Sequence, residues 1–443
     1  MTAATAAISA QRRWILAALA VAALAGLAGC TRVIVHGGAA GATRERPETM
    51  ADTRRTAPAL RVATYNTSLY DEAPGGLIRR LQEGDGSARR IAAVLQRVRP
   101  DLVLLNEFDF DPGERAAELF QRKYLEAAQA GGAKALRYPY RYLAAVNTGV
   151  PSGLDLDRNG RGGGHGPAAA DADAAARRLR GNDAWGYGLH PGQYGMLVLS
   201  RHPIDAAQVR TFQLLKWSAL PGARQPRDPA TGAAWYPPAI WSQLRLSSKS
   251  HWDVPVRTPL GIVHLLASHP TPPVVDGPED RNGARNFDEI RLWAEYLSAD
   301  GQAAPSAPWL CDDQGRCGGL AAGARFVIAG DLNADPSDGA GLPGAIGQLL
   351  AHPRVFAGVV PRSAGALERA ADRGLPRVGD VGAHTGDFGP AAGTLRLDYL
   401  LPSRGLQVRD SGVFWPIGAS TDAAVTNASD HHLVWLDLAA SPR

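Results

Sequence analysis

Cysteine is scarce, three residues in 443, and that shortage argues against a thiolate zinc site. Cys311 and Cys317 share a Gly-rich loop with no histidine nearby, too few ligands for zinc. In an oxidising compartment they are most simply a local disulfide. Charge of one sign is also missing from most of the chain. The formal net charge is +4, but the excess arginines lie before residue 59 and the remainder is neutral. Strong non-specific binding to nucleic acid is therefore not expected, and a basic groove would have to be local, with Arg141, Arg201, Arg281 and Arg285 as candidates. No internal period indicates a solenoid. With 45% hydrophobic and 20% charged residues, the bulk of the chain is not disordered.

The N-terminus has the order of a secretory signal: Arg12-Arg13, an apolar run over 14–28, then Leu27-Ala28-Gly29-Cys30. The run falls short of the ~20 residues that span a bilayer. Leu-Ala-Gly-Cys resembles the bacterial lipobox, which makes Cys30 the lipidated first residue of the mature protein; an ordinary signal peptide containing a cysteine is the other reading. The expected division is a signal over 1–29, a flexible tether over 30–58, rich in Ala, Gly, Thr and Arg, and one domain over 59–443. The chain is then extracytoplasmic and held to a membrane through Cys30.

Order is expected from the alternating strand 60–66. Ser87 caps a helix with Ile91, Val94, Leu95 and Val98 at helical spacing, and the buried strand 102–105 follows. Strand-helix-strand makes the two strands parallel neighbours. Pro112 opens a further helix. The apolar-poor stretch 147–183 contains Asp155-Leu156-Asp157-Arg158-Asn159-Gly160, the first half of a calcium loop, but its twelfth position is Gly166 where a bidentate Glu is wanted; a calcium site and a solvated loop are both open, with the loop preferred. Later elements are strands near 194–201, 240–246, 261–268, 326–330, 395–401 and 433–438, and helices over 286–297 and 345–350. The chain reads as one mixed α/β domain.

Five of these strand ends carry polar groups: Asn66, Asn106-Glu107, Asp331-Leu332-Asn333, Asp398, and Asp430-His431-His432. Pro270 keeps His269 extended at the end of its strand. Glu107 suits a hard cation such as Mg²⁺, which takes one or two carboxylates and keeps most of its waters, with Asn66 beside it and Asp430 as a further carboxylate. Asp331 and Asn333, two apart at a strand exit, point the same way. His431 with Asp398 joins an imidazole to a carboxylate that holds its tautomer. His264 reads as a core or ladder residue and His432 as a surface neighbour.

In order, Tyr65-Asn66, Asn106-Glu107, Tyr194-Gly195 to Ser200-Arg201, Ser268-His269, Gly330-Asp331-Leu332-Asn333, Leu397-Asp398-Tyr399 and Ser429-Asp430-His431 resemble the endonuclease/exonuclease/phosphatase superfamily, which has the deoxyribonuclease-I-like fold. The resemblance implies a four-layer α/β/β/α sandwich of two mixed sheets and metal-assisted attack of water on a phosphate ester, with Mg²⁺, Mn²⁺ or Ca²⁺. It implies a metal held by Glu107 with Asn66 and Asp430, His431 oriented by Asp398 as general base or phosphate contact, Asp331 and Asn333 on the water and phosphoryl oxygens, and His269 on the phosphate or leaving group. Two departures stand out: Asn106 where the family usually has Gln, and Leu332 where an aromatic is common. The segments 191–196, 268–273 and 412–416 resemble a secreted bacterial branch sometimes joined to phytase-like domains, which hints at phosphate scavenging. The substrate is a nucleic acid, a phospholipid head group or a small phosphate ester. A lipid substrate would favour exposed aromatics at Trp415 or Trp235-Tyr236. The rival expectation is a non-catalytic surface protein that keeps the fold for binding.

Overall fold

The computed structural model describes residues 59–131, 133–162, 174–299 and 307–440; the expected signal, tether and Cys30 lie outside these. Thirteen strands are described: β1 (Ala59–Leu69), β2 (Leu102–Phe108), β3 (Tyr140–Tyr142), β4 (Met196–Ser200), β5 (Arg210–Thr211), β6 (His251–Thr258), β7 (Gly261–Ser268), β8 (Arg325–Asp331), β9 (Gly386–Asp387), β10 (Thr394–Leu395), β11 (Asp398–Pro402), β12 (Leu406–Val413) and β13 (Val434–Ala440). The longer helices are α1 (Gly76–Glu83), α2 (Gly86–Val98), α3 (Arg115–Phe120), α4 (Ala174–Asn182), α5 (Arg281–Ser298) and α6 (Ala364–Arg373).

Two mixed sheets result. One runs β12-β13-β1-β2-β4-β3, the other β11-β8-β7-β6-β5. Each contains one parallel pair, β1 with β2 and β7 with β8, joined by helical crossovers as such pairs require. Alternation along the strands decides the layers. Leu60 and Val62 of β1, Leu102 and Leu104 of β2 and Met196 and Val198 of β4 meet Val254, Val263, Leu265, Val327 and Leu400 of the other sheet in one core. The opposite faces, with Tyr65, Val103 and Leu105, pack on Ile91, Val94, Leu95 and Val98 of α2. Leu266, Phe326, Ile328 and Tyr399 pack on Ile290, Trp293 and Leu297 of α5. The four-layer sandwich expected from the sequence is the fold observed. β2 is apolar without alternation because both of its faces are covered.

Several local expectations give way. Asp85, not Ser87, caps α2, its carboxylate accepting the Ala88 N–H at 2.7 Å, and the glycine-rich turn before it contains α1. The expected strand at 240–246 is instead one helical turn, Pro238–Trp241, followed by a bend. The run 395–401 breaks into β10 and β11, and the helix expected at 345–350 shortens to Gly347–Leu350. β12 escapes sequence reading because Arg409, Asp410 and Ser411 hide its pattern; it is an outer strand with a register shift between Val408 and Asp410. Cys311 and Cys317 form the expected local disulfide. Among the described residues no helix is long and apolar enough to cross a membrane.

Gly330 shows how tightly β7 and β8 are joined. Its φ is +148°, and a Cβ there would lie 2.0 Å from the Ser268 carbonyl oxygen. Gly330→Ala should therefore push β7 and β8 apart and destabilise the chain by about 3 kcal/mol or more, the range of backbone clashes in a core. Urea unfolding measures this, and an unchanged midpoint would contradict the assignment.

Candidate active site

Strand direction gathers the polar residues. Asn66, Glu107 and Asp331 lie at the C-terminal ends of parallel strands, and His269 follows β7 directly. Asp398 begins β11 and His431 precedes β13, both antiparallel to their neighbours. Leaving a parallel strand and entering an antiparallel one happen at the same rim, so both sheets deliver their groups to one place. The backbone bends sharply there: Ser68, Glu107, Tyr194 and Asn333 have φ between 49° and 56°, a left-handed conformation that is costly outside glycine and concentrates at functional sites.

Asp331 is the centre. Its Oδ2 receives Asn66 Nδ2 at 3.1 Å and is faced by His269 Nε2 at 3.4 Å and His431 Nε2 at 3.6 Å. Its Oδ1 accepts the Asn333 N–H at 3.0 Å, and its own N–H donates to Asn106 Oδ1 at 3.1 Å. The shortened amide of Asn106 thus still reaches across the two sheets. His431 Nδ1 meets Asp398 Oδ2 at 2.8 Å, and Thr385 Oγ1 donates to the same oxygen at 2.7 Å. Phe388 lies edge-on to the His431 ring at 5.1 Å.

Burial opposes charge on His431, but the carboxylates of Asp398 and Asp331, with Asp430 beyond, together hold its pKa well above the usual value. His431 is therefore an imidazolium at neutral pH. Burial raises the pKa of Asp331 too, yet His431, His269 and Asn66 outweigh it and hold the group ionised. His269 behaves oppositely. Burial, helped by the Lys249 ammonium, brings its pKa down to about 4, so it is neutral. Glu107 is pushed up to about 7, first by burial and then by the Asp430 charge, against the opposing His431, an Asn66 hydrogen bond and Lys249.

A model of the Endonuclease/Exonuclease/phosphatase family matches residues 63–431. The chain belongs to this family. It is an enzyme of the family's kind, a metal-dependent phosphoester hydrolase. Similar solved structures include an endonuclease/exonuclease/phosphatase from Beutenbergia cavernae, at 20% identity over 87% of this chain and 72% of that one, TM-score 0.47. Sphingomyelinase C from Streptomyces griseocarneus is 18% identical over 86% of this chain and 99% of that one, TM-score 0.40. A beta toxin variant from Staphylococcus aureus with bound magnesium ions is 11% identical over 86% and 99%, TM-score 0.39. No curated protein matches the chain.

Two places within this site of the phosphoesterase gather acids. Asp331, Asp398 and His431 bring ligand atoms within 4.8 Å of one another, but there the imidazolium proton already balances the carboxylates, and Asp398 Oδ2 is taken by two donors. Glu107 differs. Burial and the Asp430 carboxylate both disfavour its charge, and a carboxylate so pushed up to about 7 fits a hard divalent ion that would offset both. Glu107 and Asp430 would hold that ion, which when bound supplies charge to phosphoryl and leaving oxygens. Asn66 donates Nδ2 to Asp331 and accepts the Ser68 N–H on Oδ1 at 3.3 Å, and its side chain also hydrogen-bonds Glu107, so in this orientation its amide links Asp331 and Glu107.

Other expectations fail on burial. His432 is no surface neighbour: it is buried and stacked on Trp415 at 3.8 Å. Trp415 and Tyr236 are buried and offer no exposed aromatic, while Trp235 is half-buried with the Arg158 guanidinium 4.7 Å over its ring. The basic candidates are paired: Arg285 donates to the Leu246 and Trp185 carbonyls and Arg281 meets Glu279, while Arg141 and Arg201 pair with Glu114 and Asp101 at the surface. His264 does pair within the ladder, with Asp253 at 2.6 Å. Missed altogether was Lys249, a buried lysine that feels Glu289, Glu107 and Asp331; only its position in the polar run 247–251 before a strand could have marked it.

Because Glu107 must lose its proton to take a cation, affinity for Mn²⁺ should rise with pH, about tenfold per unit below pH 7 and levelling off above. Calorimetric titration from pH 5.5 to 8.5 tests this. The pH-dependent component should vanish in Glu107→Gln, and a flat profile in the parent chain would refute the assignment.

Proposed function

We propose that the chain hydrolyses a phosphodiester or phosphomonoester with Mg²⁺ as its divalent ion, at the cell envelope and anchored through Cys30. The reading rests on one observation above others: three N–H-bearing side chains from both sheets converge on Asp331 at 3.1 to 3.6 Å. Distances of 3.4 Å and beyond leave the two imidazoles short of a full charge-assisted bond, which is made near 2.8 Å. They are free to turn toward a phosphoryl oxygen.

In this scheme Asp331 and Asn333 align a water with phosphorus, and the ester P–O bond opposite breaks as the water's oxygen bonds. The water's proton passes to Asp331 once the imidazoles turn from its carboxylate to the phosphoryl oxygens, because while they face it they hold it ionised. His431, already protonated and fixed by Asp398, compensates the charge that grows on the phosphoryl oxygens. It therefore acts as a cationic contact, and the general-base alternative is set aside because an imidazolium cannot accept a proton. Neutral His269 provides a second N–H. With each basic candidate already paired with an acid or a carbonyl, Trp415 and Tyr236 buried and Trp235 half-buried, a small phosphate ester is favoured over a polynucleotide or a bilayer surface.

A chromogenic diester and the matching monoester, each with Mg²⁺ or EDTA, test the activity. Turnover should need metal, and His431→Ala should lower kcat by about 10²- to 10³-fold, the usual weight of one donor to developing oxyanion charge. A folded, metal-loaded protein that turns over neither ester would sink the proposal. Membrane fractionation tests the location: Cys30→Ala should move the protein to the soluble fraction, and equal distribution of both forms would rule the anchor out.

A further inference from the structure

A second acidic cluster stands outside this site, in the excursion between β3 and β4. Asp155 accepts the N–H groups of Asn159 and Gly160 at 3.1 and 2.9 Å. Asp157 accepts the Asn159 N–H at 3.2 Å on one oxygen, and on the other the side-chain amides of Asn159 and Asn182, both at 3.0 Å. Gly160 has φ +77°. Oxygen side chains at the first, third and fifth positions and a glycine at the sixth reproduce the opening half of a calcium loop.

The absent twelfth-position carboxylate is supplied from elsewhere in the chain. Asp183, just past α4, is 1% exposed. Its Oδ1 accepts the Leu156 N–H at 2.6 Å, while its Oδ2 is buried with no hydrogen-bond partner. Ligand oxygens of Asp155, Asp157 and Asp183 lie within 4.8 Å of one another. A buried carboxylate oxygen without a donor is costly, and two more carboxylates at that range add repulsion; a cation between them relieves both.

We propose that Asp155, Asp157 and Asp183 bind a Ca²⁺ ion distinct from the ion at Glu107. The site fastens the start of the excursion to its return. From Asp183 the chain runs through Trp185, whose carbonyl is held by Arg285, and Gly186, packed on the Ser248 carbonyl, to Tyr194, whose N–H donates to Asp109. The ion thus steadies one wall of the active site without touching substrate.

Tb³⁺ luminescence, excited through tryptophan, reads the site in the full-length chain carrying Glu107→Gln, which disables the other centre. One Tb³⁺ should bind and be displaced by Ca²⁺, and Ca²⁺ should raise the melting temperature in that background. Asp157→Asn, at a half-exposed position, should weaken both effects at least tenfold while circular dichroism in EDTA stays unchanged; Asp183→Asn should do the same. Absence of any signal in the Glu107→Gln chain, or a signal that survives both loop substitutions, would overturn the proposal.

Discussion

The structure turns on keeping one carboxylate ionised where two sheets end. Asp331 is 1% exposed, and an uncompensated charge at that depth would cost several kcal/mol. Compensation comes from every side: an amide from β1, an imidazole after β7, an imidazolium before β13, and backbone N–H from its own turn. Each donor sits on a different strand, so the strands must hold register for the charge to be tolerated. Folding and site assembly are therefore one event, because a slipped strand would leave Asp331 buried and unpaired.

The same constraint explains the polar residues on the inner face of α5. Asn286 donates to the Thr271 and Leu332 carbonyls, Glu289 accepts the N–H groups of Ser248 and Thr271, and Trp293 Nε1 donates to Ser268 Oγ. These groups satisfy the loose backbone where β7 and β8 leave their ladder. The helix serves as a template for the segments that carry His269, Lys249 and Asn333. A helix with an apolar stripe alone would bury the same strands and leave their ends unpaired.

Within a few residues, carboxylates of one chemistry are set to different tasks by their surroundings. Asp331 stays charged through its donors, and Asp398 orients His431 and makes it cationic. Burial and the nearby Asp430 push Glu107 toward its protonated form, which a cation would displace. The two imidazoles divide in the same way, His431 charged between acids and His269 neutral beside Lys249. An acid-base site commonly works by such separation of like groups.

Strand and helix periodicity, the parallel pairing of β1 with β2, and the polar residues at the strand ends were all legible in the sequence, since they depend on local spacing and on the rule that parallel strands need a crossover. The chemical identity of the site groups was legible for the same reason. Their protonation was not: the charge on His431 follows from the carboxylates of Asp398 and Asp331 packed against it in spite of burial, and the upward shift of Glu107 from burial and from Asp430, far along the chain. Nor could the sequence show that Asp183 completes the loop opened at Asp155, that Arg285 is spent inside the fold, or that Lys249 lies beside the site. Spacing along a chain determines which groups can share a face; only packing decides which charges meet and what each must carry when water is gone.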